Sequence, residues 1–204
     1  MCGRYYIAAE DSHEEIKRLI DEINRREANR EMKSIPKVGE VFPSDNALVV
    51  AKSRALSPRP FVMRWGFEMK STSMLINARS ETASEKELFR DLFRERRLLI
   101  PASGYYEWEK AGKEKAKYAI SAGNDFIYMA GLYRPRADGK GHEFVILTRD
   151  ASPDIRFIHE RMPVVFMPDA AQAWLSNDSD PETVLKRSEE NLRFSQTGAV
   201  QLCI

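Results

Sequence analysis

Ile16, Leu19, Ile20 and Ile23 recur three and four residues apart among polar neighbours, a spacing that predicts an amphipathic helix over residues 12–30. Ser12 and Glu15 stand as a capping-box pair at its start, and the polar run 24–33 closes it. A second helix is predicted over 84–96, where Ser84 and Glu87 repeat the capping spacing and Leu88, Phe89, Leu92 and Phe93 form an apolar side. Elsewhere the apolar runs are short and bounded by turn residues. They predict strands at 48–51, 61–67, 74–78, 98–100, 105–109, 118–121, 126–133, 143–148 and 164–166. Val38, Val41 and Phe42 lead into Pro43, and 57–60 reads as a proline turn. Gly112 and the segment 137–141 mark hairpin turns, and short helices are expected at 153–157, 169–174 and 181–186. Strands outnumber helices and do not alternate regularly with them. The expected fold is therefore one compact α+β domain over 1–204, with a mainly antiparallel, barrel-like sheet flanked by helices, and not a doubly wound sheet.

Composition narrows the function. The 204 residues carry 32 Lys and Arg against 31 Asp and Glu, a formal net charge of +1. A polycationic or acidic-tail protein is excluded, so nucleic acid would have to be bound by a local patch. An aromatic content of 10% argues against disorder. No apolar run approaches the ~20 residues that span a bilayer, and the N-terminus has no apolar signal-like stretch. The two cysteines, Cys2 and Cys203, lie at opposite ends of the chain, which disfavours a disulfide scaffold or a zinc site. A reduced, cytoplasmic monomer with no metal and no organic cofactor is expected. No glycine-rich phosphate loop is present.

Four places can carry chemistry. Removal of Met1 would leave Cys2 with an α-amine and a thiol on one frame. An α-amine titrates near ~7.7–8.0, so part of it is neutral at physiological pH. Such a pair captures an aldehyde as an imine and closes a five-membered thiazolidine; it also suits acyl transfer with the amine as base. Asn77 and Arg79 follow an apolar run and could orient an oxygen and hold a phosphate. In a strand, Tyr105 and Glu107 share one face and Tyr106 and Trp108 the other, and a carboxylate among aromatics suits proton transfer. His159, unlike His13 and His142, lies between an apolar helix end and a strand. Arginines interleaved with rings, including Arg4, Tyr5, Arg64, Trp65, Arg79, Arg90, Arg97, Tyr106 and Arg161, could line a groove for a single strand. Each also has a plain reading as an ordinary terminus, loop, strand or surface residue.

The order of these segments is more telling than any one of them. Cys2-Gly3-Arg4-Tyr5, Arg64-Trp65-Gly66, Asn77-Ala78-Arg79-Ser80-Glu81-Thr82, Arg96-Arg97, Pro101-Ala102-Ser103-Gly104-Tyr105-Tyr106-Glu107-Trp108, Ala130-Gly131-Leu132 and His159-Glu160-Arg161-Met162-Pro163-Val164 occur in sequence. Together they closely resemble the SOS response-associated peptidase (SRAP) family of abasic-site processing proteins, from Cys2 to at least Trp174. The resemblance implies that Met1 is removed, with self-cleavage as one route, and that Cys2 then forms a thiazolidine with the ring-opened aldehyde of an abasic site in single-stranded DNA. It implies catalytic roles for Cys2, Asn77, Glu107 and His159. It also implies DNA contacts by Arg4, Trp65, Arg79, Arg90, Tyr106 and Arg161, a lyase side activity, and association with the nucleoid when bound. The chain departs from the family in the short stretch 68–76 between its Trp-Gly and Asn-Ala-Arg motifs, and in Glu160 where Asp is common. A second reading is a class II glutamine amidotransferase, which also begins Met-Cys-Gly; the Asn-Gly pair typical of that oxyanion hole is missing. A third is a noncatalytic single-strand-binding module, which would not need Cys2.

Overall fold

The computed structural model describes residues 2–8, 14–28, 35–69, 74–111, 114–123, 126–197 and 201–202. In chain order the elements are β1 (Tyr5–Ile7), α1 (Glu14–Glu27), β2 (Gly39–Val41), β3 (Asn46–Lys52), β4 (Pro58–Trp65), β5 (Asn77–Arg79), α2 (Ser80–Ala83), α3 (Glu87–Glu95), β6 (Arg97–Ala102), β7 (Gly104–Ala111), β8 (Glu114–Ser121), β9 (Ile127–Pro135), β10 (His142–Asp150), β11 (Arg161–Pro163), β12 (Val165–Phe166), α4 (Pro168–Leu175), α5 (Pro181–Leu185), β13 (Arg193–Gln196) and β14 (Gln201–Leu202).

Two sheets result. One runs β13-β8-β7-β1-β2, with β14 also on β8. The other runs β11-β10-β4-β3-β6-β9-β12, with an added β9–β10 pairing, so the α+β class expected is found, as a sheet-rich fold and not as a closed barrel. All pairings are antiparallel except those of β10 with β4 and β5. The strand β10 organises the site. One of its edges pairs β4 and then β5; the other pairs β9 and then β11.

The apolar face of α1 lies where the spacing puts it: Ile16, Leu19 and Ile23 are buried against the sheet at β4. The predicted cap Ser12 falls outside the described residues. The helix expected over 84–96 forms as α3, starting three residues later than the capping pattern suggests, and a short helix that the pattern did not predict, α2, precedes it. The backbone N–H groups of Glu85 and Lys86 both fold back to the Thr82 carbonyl, which ends α2, and α3 restarts at Glu87 with no side-chain cap. The stretch 153–157 forms turns, not a helix; Arg156 bonds back to Ser152, but the run is too short to propagate. Gly66 is required where it stands. Its φ is +106°, and a Cβ there would lie 2.2 Å from Met74 Sδ. This tight passage lets the chain leave β4 and return to lay down β5. Among the described residues, no helix is long and apolar enough to cross a membrane.

Candidate active site

The site forms where β1, β5 and β7 meet. Before β1, Cys2 turns inward and is fully buried. Its Sγ lies 4.0 Å from the Arg4 carbonyl oxygen. Burial pushes the thiol far above its usual range, and the negative charge of Glu107 adds to that, so the sulfur is held as S–H. Asn77, at the start of β5, donates from Nδ2 to the Cys2 carbonyl oxygen at 2.9 Å. Antiparallel pairing of β1 with β7 sets Tyr5 opposite Tyr105 on the inward face. Burial raises the pKa of both phenols, and the proximity of Cys2 raises them further.

Glu107 follows Tyr105 by two residues and so shares its inward face. Burial raises its pKa above the usual carboxylate range, against the pull of the positively charged amino terminus and the Trp108 N–H. Asn77 Oδ1 and the hydroxyls of Tyr5 and Tyr105 are buried with no hydrogen-bond partner among the described residues. A polar atom left in that state costs about 1–3 kcal/mol. Three of them near one buried cysteine and Glu107 make a polar cluster in an otherwise apolar interior, suited to a ligand that brings oxygens.

The far end of β10 carries a second group. Its pairing with β5 sets Asn77 beside Ile146 and Arg79 beside Thr148, and its pairing with β11 sets Arg161 beside Asp150. The guanidinium of Arg161 donates to both oxygens of Glu81 at 2.7 and 2.8 Å, to Asp150 and to the Thr148 carbonyl; its side chain is 12% exposed. Burial alone would raise Glu81, but Arg161 more than offsets this and holds it below the usual carboxylate range. His159 precedes β11, and its Nδ1 accepts the Arg161 backbone N–H at 2.9 Å. That bond leaves Nε2 to carry the proton of the neutral ring.

The outer face of β7 is different in kind. Arg4 lies over the rings of Phe42 at 4.4 Å and Trp108 at 4.9 Å and pairs with Glu40 at 3.2 Å. Lys117 reaches the same Glu40 at 2.8 Å and covers Tyr106 at 3.7 Å, and Tyr106 stacks on Tyr6 at 4.9 Å. The alternation read from sequence therefore holds: Glu107 and Tyr105 face in, Tyr106 and Trp108 face out.

Of the expected site residues, Cys2, Asn77 and Glu107 share one pocket, and His159 and Arg161 share the end of β10. Arg79 is exposed at the end of β5, without an ion pair among the described residues. One expectation is corrected. Trp65 is fully buried, its Nε1 bonded to the Ile76 carbonyl at 3.1 Å and its ring against Tyr5 and Phe144, so it packs the core beneath the pocket and offers no face to DNA. Arg90 stands on the exposed side of α3 beside Asp91 at 3.5 Å, with no hydrogen bond or ion pair to the pocket residues. The sequence reading did not single out the Tyr5 and Tyr105 hydroxyls as pocket lining, although strand alternation from Glu107 puts Tyr105 there. Glu81 as the partner of Arg161 left no signal, since the two are 80 positions apart.

The family model for SOS response associated peptidase (SRAP) matches residues 1–199. The chain is similar to abasic site processing protein YedK of Escherichia coli (strain K12), with 30% identity over 184 residues covering 87% of this chain and 81% of that protein. It is similar to abasic site processing protein YoqW of Bacillus subtilis (strain 168), with 29% identity over 195 residues covering 89% and 84%. A solved protein from Bacteroides thetaiotaomicron shares the fold with a TM-score of 0.73 at 20% identity, over 96% of this chain and 91% of that one. With a family match along almost its whole length, this chain belongs to the SOS response associated peptidase (SRAP) family.

Proposed function

We propose that the chain acts at abasic sites in single-stranded DNA, and that Cys2, once Met1 is removed, bonds covalently to the lesion. The observation that carries this reading is the buried cluster of the Cys2 thiol, Asn77 bonded to the Cys2 carbonyl, and a Glu107 whose pKa is raised. The Cys2 α-amine attacks C1′ of the ring-opened aldehyde, and a C–N bond forms as the carbonyl oxygen takes up a proton. Loss of that oxygen as water gives the imine. The S–H then adds across C=N, sulfur to carbon and hydrogen to nitrogen, and closes the thiazolidine. Glu107 in its acid form delivers the proton to the departing oxygen, and as the base it takes the proton of the thiol. His159 carries protons at the sugar ring oxygen. Such proton carriers are each worth ~10²–10⁴ in rate. Asn77 fixes the Cys2 backbone, and with it the direction of the amine. Arg79 and Arg161 bind phosphates on one side of the strand, and Arg4 and Tyr106 on the other. A lyase side reaction would arise if the imine lost its 3′ phosphate before ring closure, and self-cleavage of Met1 would use the same Cys2 and Glu107.

The test is intact mass after incubation with an abasic single-stranded oligonucleotide. The expected product is protein lacking Met1 joined to DNA with loss of one water, stable to denaturation. Cys2→Ala and Cys2→Ser keep the amine but not the thiol, so borohydride should trap them on DNA while little adduct survives without it. An equally stable unreduced adduct of Cys2→Ala would refute ring closure by sulfur.

A further inference from the structure

We propose that Tyr118, Phe157 and Phe194 form a stacking platform that receives a nucleobase of the DNA strand next to the lesion. The proposal rests on the reading of the Cys2 pocket as an abasic-site pocket. The three rings meet edge to face, with centroids 5.7 Å apart for Tyr118–Phe157, 6.1 Å for Tyr118–Phe194 and 5.2 Å for Phe157–Phe194. Phe157 is 49% exposed and Phe194 42% exposed. Phe157 and Phe194 keep part of their ring surface open to water, and a clustered apolar patch of that kind marks a binding surface.

The rings are continuous with the pocket. Tyr118 of β8 lies directly opposite Glu107 of β7, so the two side chains share a face of the sheet. Tyr118 Oη donates to Glu109 at 3.0 Å, which sets the ring's orientation. Phe194 of β13 pairs with Ile120, two residues from Tyr118 and on the same face. Phe157 precedes His159 by two residues. The platform therefore borders the proposed proton carriers on two sides.

The charge beside it fits the same occupant. Arg156 immediately precedes Phe157; it is exposed and has no ion pair among the described residues, its guanidinium donating to the Ala151 carbonyl at 3.4 Å. Rings beside a guanidinium that no carboxylate holds are the pattern of single-strand binding, in which bases stack and phosphates pair. A base on the strand beside an abasic site has lost its stacking neighbour across the gap, so these rings would replace it.

Binding is to be measured by fluorescence anisotropy with an unmodified oligo-dT and with a base-less strand of tetrahydrofuran nucleotides. Phe157→Ala with Phe194→Ala should weaken oligo-dT binding about 5- to 150-fold, the range for one stacked base. The wild type should prefer oligo-dT over the base-less strand by a similar factor, and the double variant should lose that preference. Phe157→Trp should retain it, and melting temperatures check that each variant is folded. Equal binding of oligo-dT by folded wild type and double variant, or no preference in the wild type, would overturn the platform. So would a dimer that the double variant dissolves, which would assign the patch to a second copy of the chain. Adduct formation on an abasic strand at saturating protein separates the two proposals. A wild type that prefers bases but forms no adduct keeps the platform and loses the covalent reading, and one that forms adduct without base preference does the reverse.

Discussion

Replacing Glu143 with alanine should loosen the fold and misplace Asn77 together. Glu143 lies on β10 opposite Arg134 of β9 and is only 2% exposed. Its Oε1 accepts from Arg134 Nε at 2.8 Å, and its Oε2 accepts the Glu68 backbone N–H at 3.2 Å. Arg134 in turn donates to the Glu68 carbonyl at 2.8 Å and lies over the Phe67 ring at 4.3 Å. One ion pair thus holds both backbone groups of Glu68, where the chain leaves β4. The segment returns through the paired Phe67 and Leu75 to Asn77. Removing one partner of a fully buried pair costs about 3–5 kcal/mol. The Arg134 side chain is 25% exposed and regains hydration, so the expected loss is nearer 2–3 kcal/mol. For a chain of this length each kcal/mol moves the melting temperature by about 2–4 °C, which gives a drop of roughly 4–12 °C. Glu143→Gln keeps one acceptor oxygen and should lose about half as much. The assays are thermal unfolding and, well below the transition, single-turnover adduct formation, which should slow in Glu143→Ala. An unchanged melting temperature in Glu143→Ala would refute the energetic argument. A lowered melting temperature with a wild-type rate would refute the link to Asn77.

Three other outcomes follow from the pocket and the cations around it. Asn77→Ala leaves the buried Cys2 carbonyl without its donor, so stability should fall by about 1–3 kcal/mol in denaturant unfolding and adduct formation should slow; normal kinetics would remove Asn77 from the reaction. Glu107→Gln should slow the adduct about 10²–10⁴-fold. The wild-type rate should rise as the α-amine deprotonates and decline as pH passes through the raised Glu107 value, whereas the Gln variant should lack the decline. The stability sign agrees: Glu107 has a raised folded pKa, so its contribution is full below the ordinary carboxylate range and is lost as pH rises through the raised value. Arg161→Gln should remove one phosphate contact and flatten the plot of log affinity against log salt by about 0.7, the amount for one single-strand phosphate contact; an unchanged slope would show that Arg161 stays with Glu81 and Asp150.

Much of this was legible in the sequence, for physical reasons. The period of two along Tyr105–Trp108 assigns each side chain to a face, and a strand can hardly break that alternation. The three- and four-residue spacing of Ile16, Leu19 and Ile23 likewise leaves α1 one face to bury. The capping pattern at Ser84 misled because the same residues serve equally well to end a helix, and the fold of Glu85 and Lys86 back onto Thr82 decided the matter. Trp65 was misplaced because a tryptophan beside arginine looks the same in sequence whether it packs a core or faces a ligand. Only the convergence of β1, β4 and β10 buries it, in contact with Tyr5 and Phe144. The pairing of Arg161 with Glu81 could not be read at all, since it depends on β5 and β11 taking opposite edges of β10.

The two faces of β7 also bear on the order of events in the proposed reaction. A thiolate at Cys2 would be the stronger nucleophile toward an aldehyde and would give a hemithioacetal first. Full burial and the neighbouring Glu107 oppose that ionisation, so the sulfur waits as S–H. An α-amine ordinarily titrates near ~7.7–8.0, below the range of an ordinary thiol, which gives the amine the first opportunity to attack. The same desolvation that holds the thiol neutral raises Glu107, so a proton is available when the oxygen must leave as water. Once water has gone, Glu107 is a carboxylate beside an S–H, with an electrophilic C=N within reach of the sulfur. Its next act as base is to take the thiol proton. One environment thus sets the sequence, imine first and ring closure second, without a separate group for each step. The cations stay outside this pocket: Arg4 and Lys117 lie on the outer face of β7 with Glu40, where they can meet phosphates. Were they inside, they would lower both pKa values and remove the ordering.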